Sequence, residues 1–160
     1  MKNKQRITIS VIGAHQASPS VEKLAYEVGK RIAKLKAVLV CGGLEGVMAA
    51  SARGAQEAGG LTIGLLPGKE KTDANPYIDI ALPTSIGYAR NAMVACSADI
   101  IVALPGSHGT SCEISYGLVY KRPVIDLGNW KVKGMISVKN VDEAEAEIRK
   151  LIKHARTPRS

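Results

Sequence analysis

Three places in the chain put glycine where an apolar run gives way to an amphipathic one: Gly13, the Gly42-Gly43 pair with Gly46, and Gly106 with Gly109. Glycine at such a point lets another group come close to the main chain. The first N–H groups of the helix that follows have no partner within it and lie at the positive end of its dipole. Together these features attract phosphate and other oxyanions. Gly13 alone is explained as well by a tight strand-to-helix turn. The double glycine after one strand and Pro105-Gly106-Ser107-His108-Gly109-Thr110 after another say more, because both turns fall on the same rim. The chemistry expected there is the holding of a phosphorylated, nucleotide-like small molecule by main-chain N–H groups.

The elements that position these turns follow from periodicity. Short apolar runs at 7–12, 37–41, 61–66, 99–104 and 124–127 predict strands, with weaker ones at 77–82 and 135–138. Helices are expected from Ser18-Pro19-Ser20 to about Leu35, at 47–58, from a cap at Thr84 or Ser85 to about Ser97, from the 105–110 turn to Tyr120, and from Val141-Asp142-Glu143 onward. Segments 67–76 and 128–134 read as loops. Strands alternating with helices, the inner strands apolar on both faces, imply a Rossmann-like three-layer α/β domain with a mainly parallel sheet, spanning 1–160 as one unit. Such sheets bind ligands beyond the carboxyl ends of their strands.

Composition narrows the classes. The 160 residues are 46% apolar with no Phe and a single Trp130, so the core is aliphatic. Net charge is +8, but the bases are scattered, and the one dense tract, Arg149-Lys150 through Lys153, Arg156 and Arg159, has no aromatic residue for base stacking. A basic surface attracting small anions is therefore favoured over a nucleic-acid partner. The first apolar stretch is too short for a signal peptide and no run reaches membrane-spanning length, so a cytoplasmic protein without a membrane partner is expected. Cys41, Cys96 and Cys112 lack metal-ligand spacing and read as reduced, buried thiols, with no metal site.

Cys41-Gly42-Gly43-Leu44-Glu45-Gly46-Val47-Met48 resembles the Gly-Gly-x-x-Gly-(Leu/Val)-Met segment of the superfamily that contains the lonely-guy cytokinin-activating phosphoribohydrolases. The 105–113 stretch resembles its Pro-Gly-Gly-x-Gly-Thr-x-x-Glu signature, and Arg90-Asn91-Ala92-Met93 its Arg-Lys-x-x-Met segment. The motifs keep the family's order and spacing over nearly the whole chain. With Asn75-Pro76-Tyr77, this short chain looks most similar to the branch of the molybdenum-cofactor carrier proteins. Members are often labelled lysine decarboxylases, but no lysine here has a recognisable Schiff-base setting.

The resemblance implies two activities. A hydrolase would cleave the N-glycosidic bond of a nucleoside 5′-monophosphate, and the resemblance gives catalytic roles to Glu113, which steadies the oxocarbenium-like state or activates water, and Arg90, which grips phosphate or the departing base. A plain ion pair joining two helices is the alternative for Arg90 and Glu113. A carrier needs only to hold phosphate and a flat heterocycle, through Gly13, Gly42, Gly43, Gly46, Arg90, Asn91, Gly106, Ser107, His108, Gly109 and Thr110. His108 also reads as an exposed turn residue without a role. Ser107 replaces the signature's second glycine, Cys112 stands where hydrolases commonly carry a second acid, and Ile86-Gly87-Tyr88-Ala89 lacks their polar character. These departures weaken cleavage more than binding. The expectation is a binder of a phosphorylated nucleotide-like ligand, with no required cofactor and with the molybdenum cofactor or a nucleoside monophosphate as cargo. The resemblance further implies a homo-oligomer, dimer or tetramer, for which the Ala-rich 47–58 helix offers a close-packed face.

Overall fold

Seven strands form one sheet in which every pairing is parallel. They are β1 (Thr8–Ile12), β2 (Val38–Cys41), β3 (Leu61–Leu66), β4 (Ile80–Pro83), β5 (Ile100–Ala103), β6 (Val124–Asp126) and β7 (Ile136–Ser137). The computed structural model describes residues 5–156. The sheet order is β4-β3-β2-β1-β5-β6-β7. The chain therefore steps outward from β1 to β4, then returns to lay β5 on the other side of β1. That reversal opens a crevice beyond the carboxyl ends of β1 and β5, where open α/β sheets take ligands.

Helices cover both faces, which is why the central strands are apolar throughout rather than alternating. Ile9, Val11, Leu39 and Val102 point to a core shared with α1 (Pro19–Lys34), α2 (Val47–Glu57) and α5 (Val141–Arg156). Their sheet neighbours Ile12, Val40, Ile101 and Ala103 point the other way, to α3 (Arg90–Cys96) and α4 (His108–Val119). This is the three-layer Rossmann-like fold that the alternation of strands and helices predicted. The Ser18 hydroxyl accepts the Val21 N–H at 3.4 Å and Pro19 opens α1, as the capping pattern predicts.

The small residues of α2 have a use inside the chain. A Cβ on Gly54 would lie 2.0 Å from the Tyr26 carbonyl oxygen, and one on Gly29 would lie 1.9 Å from that of Ser51. The α1 and α2 backbones thus meet through glycine, and this face of α2 is spent on α1 rather than left for a partner. Most of the uncovered large apolar side chains lie elsewhere: Ile86, Tyr88, Met93, Tyr116, Val119 and Tyr120 are exposed around α3 and α4, with Ile80 and Leu82 on β4 and Val132 beyond β6 exposed as well.

Several boundaries differ from expectation for identifiable reasons. No cap forms at Thr84 or Ser85: the Thr84 hydroxyl donates to the Leu66 carbonyl at 2.7 Å, and Ser85 and Gly87 both take a φ of 59°. Only a short 3-10 turn, Gly87–Ala89, precedes α3. The 77–82 strand starts late, at Ile80, because Thr62 and Asp79 bond to each other across its approach at 2.9 Å and 3.0 Å. The three cysteines are free, but only Cys41 is buried; Cys96 is half-buried and Cys112 exposed. The buried reading fails for Cys112 because α4 is apolar on its outward side as well.

Candidate functional site

The turn between β2 and α2 is fastened at several points from within the chain. Gly43 N–H donates to the Cys41 sulfur at 3.4 Å, and the Gly43 carbonyl accepts the Asn75 N–H at 2.9 Å. The Asn75 amide donates to the Leu44 carbonyl at 2.8 Å. Val47 N–H, the first of α2, donates to the Ala14 carbonyl at 3.0 Å. Gly46, with a φ of 65°, leaves no room for a side chain, since a Cβ there would lie 2.3 Å from the His15 carbonyl oxygen. Gly46 thus brings backbone against backbone, whereas Gly42 and Gly43 are covered by the side chains of Met48, Arg90 and Leu66.

The turn between β5 and α4 is the reverse case. Its entry is pinned by Ala14 N–H on the Pro105 carbonyl at 3.0 Å and by the Trp130 indole on the Leu104 carbonyl at 2.9 Å. Beyond that, Ser107 makes no cap bond, and the N–H groups of His108, Gly109 and Thr110 have no acceptor among the described residues. Ser107 itself is extended, at φ −129°, so the serine sits there without strain.

A cavity of about 490 Å³ opens over this end of the sheet. Ile12 and Gly13 from β1, Gly42 and Met48 from the β2 side, Arg90 and Asn91 from α3, and Ser107, Gly109, Thr110 and Glu113 from the α4 side line it. No lysine does. A second hollow of about 510 Å³ lies beside it between the β1–α1 loop and Gly106, and the two share His15 and Ser107. Gly43, Gly46 and His108 line neither.

Four polar side chains buried to 3–7% exposure meet in the first cavity: Arg90, Asn91, Thr110 and Glu113. Arg90 holds the framework. Its Nε donates to the Leu65 carbonyl at 2.7 Å, one terminal nitrogen to the Gly42 carbonyl at 3.2 Å, and the other to the Asn91 amide oxygen. Those bonds tie the ends of β2 and β3 to α3 and use three of five donors. Arg90 and Glu113 are not paired: no nitrogen of Arg90 comes within ion-pair distance of the carboxylate among the described residues.

Glu113, Thr110 Oγ1 and Asn91 Nδ2 make no hydrogen bond among the described residues, yet they are not sealed in the core. They face the open cavity. Burial pushes the Glu113 carboxyl from 4.5 up to about 8, with the Arg90 charge pulling the other way. Burial lowers Arg90 below its ordinary value, partly offset by Glu113. Cys41, beneath the Gly42 turn, is pushed up to about 12 by burial and stays a thiol. Among the described residues no group of three or more His, Cys, Asp or Glu is placed to hold a metal ion. No helix of the described residues is long and apolar enough to cross a membrane.

Sequence reasoning passed over His15, Met48, Leu44, Pro67 and Tyr88 in the cavity wall. His15 had a signal, since it follows Gly13 at the carboxyl end of β1, on the rim where ligands are expected. Leu44 lies inside the Gly-x-x-Gly pattern and Met48 two residues beyond it, and both look like ordinary core residues.

The chain is 41% identical over 119 residues to an uncharacterized protein of Archaeoglobus fulgidus, covering 74% of this chain and 78% of that one. The solved molybdenum cofactor binding protein of the phototrophic bacterium Rippkaea orientalis superposes with a TM-score of 0.87 at 31% identity, over 94% of this chain and 99% of that one. The molybdenum cofactor carrier protein of Chlamydomonas reinhardtii gives 0.86 at 31% identity, over 93% and 99%. The model of the SLOG cluster4 family matches residues 6–158. Fold, motif order and this near-complete match agree that the chain belongs to the SLOG cluster4 family, within the superfamily that its motifs resemble.

Proposed function

We propose that this protein binds and carries a phosphorylated heterocyclic ligand in the cavity above β1 and β5, with the molybdenum cofactor as first candidate cargo and a nucleoside monophosphate as second. The observation that carries the reading is the open start of α4. Three N–H groups with no acceptor among the described residues, and the Thr110 hydroxyl, stand at the positive end of a helix, beside a cavity of a small ligand's size. Gly109 and Ser107 leave the approach open, with Gly42 and Gly13 as the opposite wall. Asn91 and Glu113 supply hydrogen-bonding atoms for a ring edge. The neighbours at 31% identity are named as molybdenum cofactor binding or carrier proteins, and that cofactor suits a phosphate at one end and a flat pterin at the other.

Arg90 and Glu113 in one cavity also support a second reading, a nucleoside 5′-monophosphate phosphoribohydrolase. Arg90 is largely committed to carbonyl oxygens, and among the described residues no second acid lines the cavity, so holding is favoured over cleaving. Incubation with AMP separates them: carriage predicts a raised Tm with no adenine or ribose 5-phosphate released, whereas steady release establishes the hydrolase. Pterin fluorescence and molybdenum content of the protein purified from cells test the first cargo.

The implied homo-oligomer fits the α3–α4 side better than α2. Between Thr84 and Tyr120 the charged residues are Arg90, Asp99 and Glu113, and Arg90 and Glu113 are buried. Two copies each carrying +8 approach best across that uncharged, apolar face.

A further inference from the structure

Among the described residues Glu113 is the one acidic group lining the cavity, and the Arg90 charge, its single compensation, is outweighed by burial. It is 7% exposed and accepts no hydrogen bond among the described residues. The nearest cation, Arg90, is turned to the Leu65 and Gly42 carbonyls and to Asn91. Val11, Ile12 and Met48 supply apolar wall. The other polar side chains lining the cavity are Asn91 and Tyr88 from the α3 side, Ser107 and Thr110 from the α4 side and exposed His15 from the β1–α1 loop; Cys41 from β2 is a buried thiol below it. His108 of α4 lies outside. A buried charge without a partner is expensive, and a carboxyl relieves that cost by keeping its proton. Thr110 and Glu113, three residues apart on α4, stand about 4.5 Å apart along the helix axis. An anion at the start of α4 would lie close enough to repel a charged Glu113, but not a neutral one.

Resting on the reading that this cavity holds a phosphorylated ligand, we propose that Glu113 acts as a neutral carboxylic acid that donates a hydrogen bond to the ligand. The site then selects phosphorylated molecules whose ring offers a carbonyl oxygen or bare ring nitrogen about one helical turn from the phosphate. It loosens its hold as the medium turns alkaline. The direction in which burial moves this carboxyl, up to about 8, agrees with that role. The role differs from that of a catalytic carboxylate, which must be charged to steady a cationic sugar or activate water.

Two measurements test it. The ligand-free protein at pH 7 should show a protonated-carboxyl infrared band that is missing from Glu113→Gln and titrates away near pH 8. Its absence at pH 7 overturns the proposal without reference to any ligand. AMP affinity of the wild type, taken relative to Glu113→Gln at each pH to cancel the phosphate's own titration, should fall about tenfold from pH 7 to pH 9. Glu113→Gln, whose amide still donates, should recover affinity lost in Glu113→Ala. A flat ratio, or no recovery by the amide, overturns the proposal while leaving the site. AMP bound by neither protein at any pH overturns the phosphorylated-ligand reading beneath it, a failure that the infrared band tells apart.

Discussion

The two glycine-rich turns look alike in sequence and differ in what their polar groups do. At 42–47 the N–H of Gly43 goes to the Cys41 sulfur, its carbonyl to Asn75, the Gly42 carbonyl to Arg90, and the first N–H of α2 to Ala14. At 105–110 the entry is fastened equally well, but the first three N–H groups of α4 have no acceptor among the described residues. In the first turn Gly46 packs backbone on backbone and the first N–H of α2 is taken, leaving those of Met48 and Ala49 without acceptors among the described residues; in the second, all of the first three N–H groups are left open. A phosphate cradle therefore depends less on glycine than on which donors the rest of the fold has left free.

The strongest way to break this contrast is to put a side chain into the packed turn. Gly46→Ala combines a φ of 65° with a Cβ 2.3 Å from a carbonyl oxygen, so it should cost about 3 kcal/mol or more, read by denaturant unfolding. Wild-type stability in the Gly46→Ala variant would show that the first turn is looser than described.

Glu113→Gln moves stability in a pH-dependent way on the open side. Folding raises the Glu113 carboxyl from 4.5 to about 8, so the wild type is at no disadvantage below about 4.5. It loses about 1.4 kcal/mol for each pH unit between those values, as the unfolded chain releases a proton that the folded chain retains. The Gln variant should match the wild type near pH 4 and exceed it most at pH 8 and above. Thermal unfolding over that range checks the sign, and a variant less stable at pH 8 contradicts a carboxyl whose burial outweighs the Arg90 charge.

Thr110→Val makes the smallest change. It removes one unpartnered hydroxyl at constant shape, so stability should stay within about 1 kcal/mol while AMP affinity falls several-fold to tenfold. Equal loss of both would place Thr110 among the packing groups.

Much of the fold was legible because apolar runs and helical spacing are local signals. The strands at 37–41 and 61–66, the Ser18 cap and the rim on which the glycines fall needed only neighbouring residues. What failed was set at long range. Thr84 looks like a cap in sequence, but its hydroxyl finds Leu66, 18 positions away. Cys112 looks like core because α4 is apolar on its outer side too. The same holds for the site. Glycine spacing located both turns, but the difference between them lies in Asn75, which reaches back 31 positions to Leu44, and in Arg90, which reaches 48 to Gly42. No local pattern carries that, nor does it show Arg90 and Glu113 sharing a cavity without pairing.

The central claim, that the open start of α4 is where the ligand's phosphate sits, is tested most directly by following backbone amide resonances while AMP is titrated into the protein. The account predicts that Gly109 and Thr110 shift strongly and saturably, while Gly43 and Gly46 move little. Large shifts at Gly43 and Gly46 with a silent Gly109 and Thr110 would contradict it.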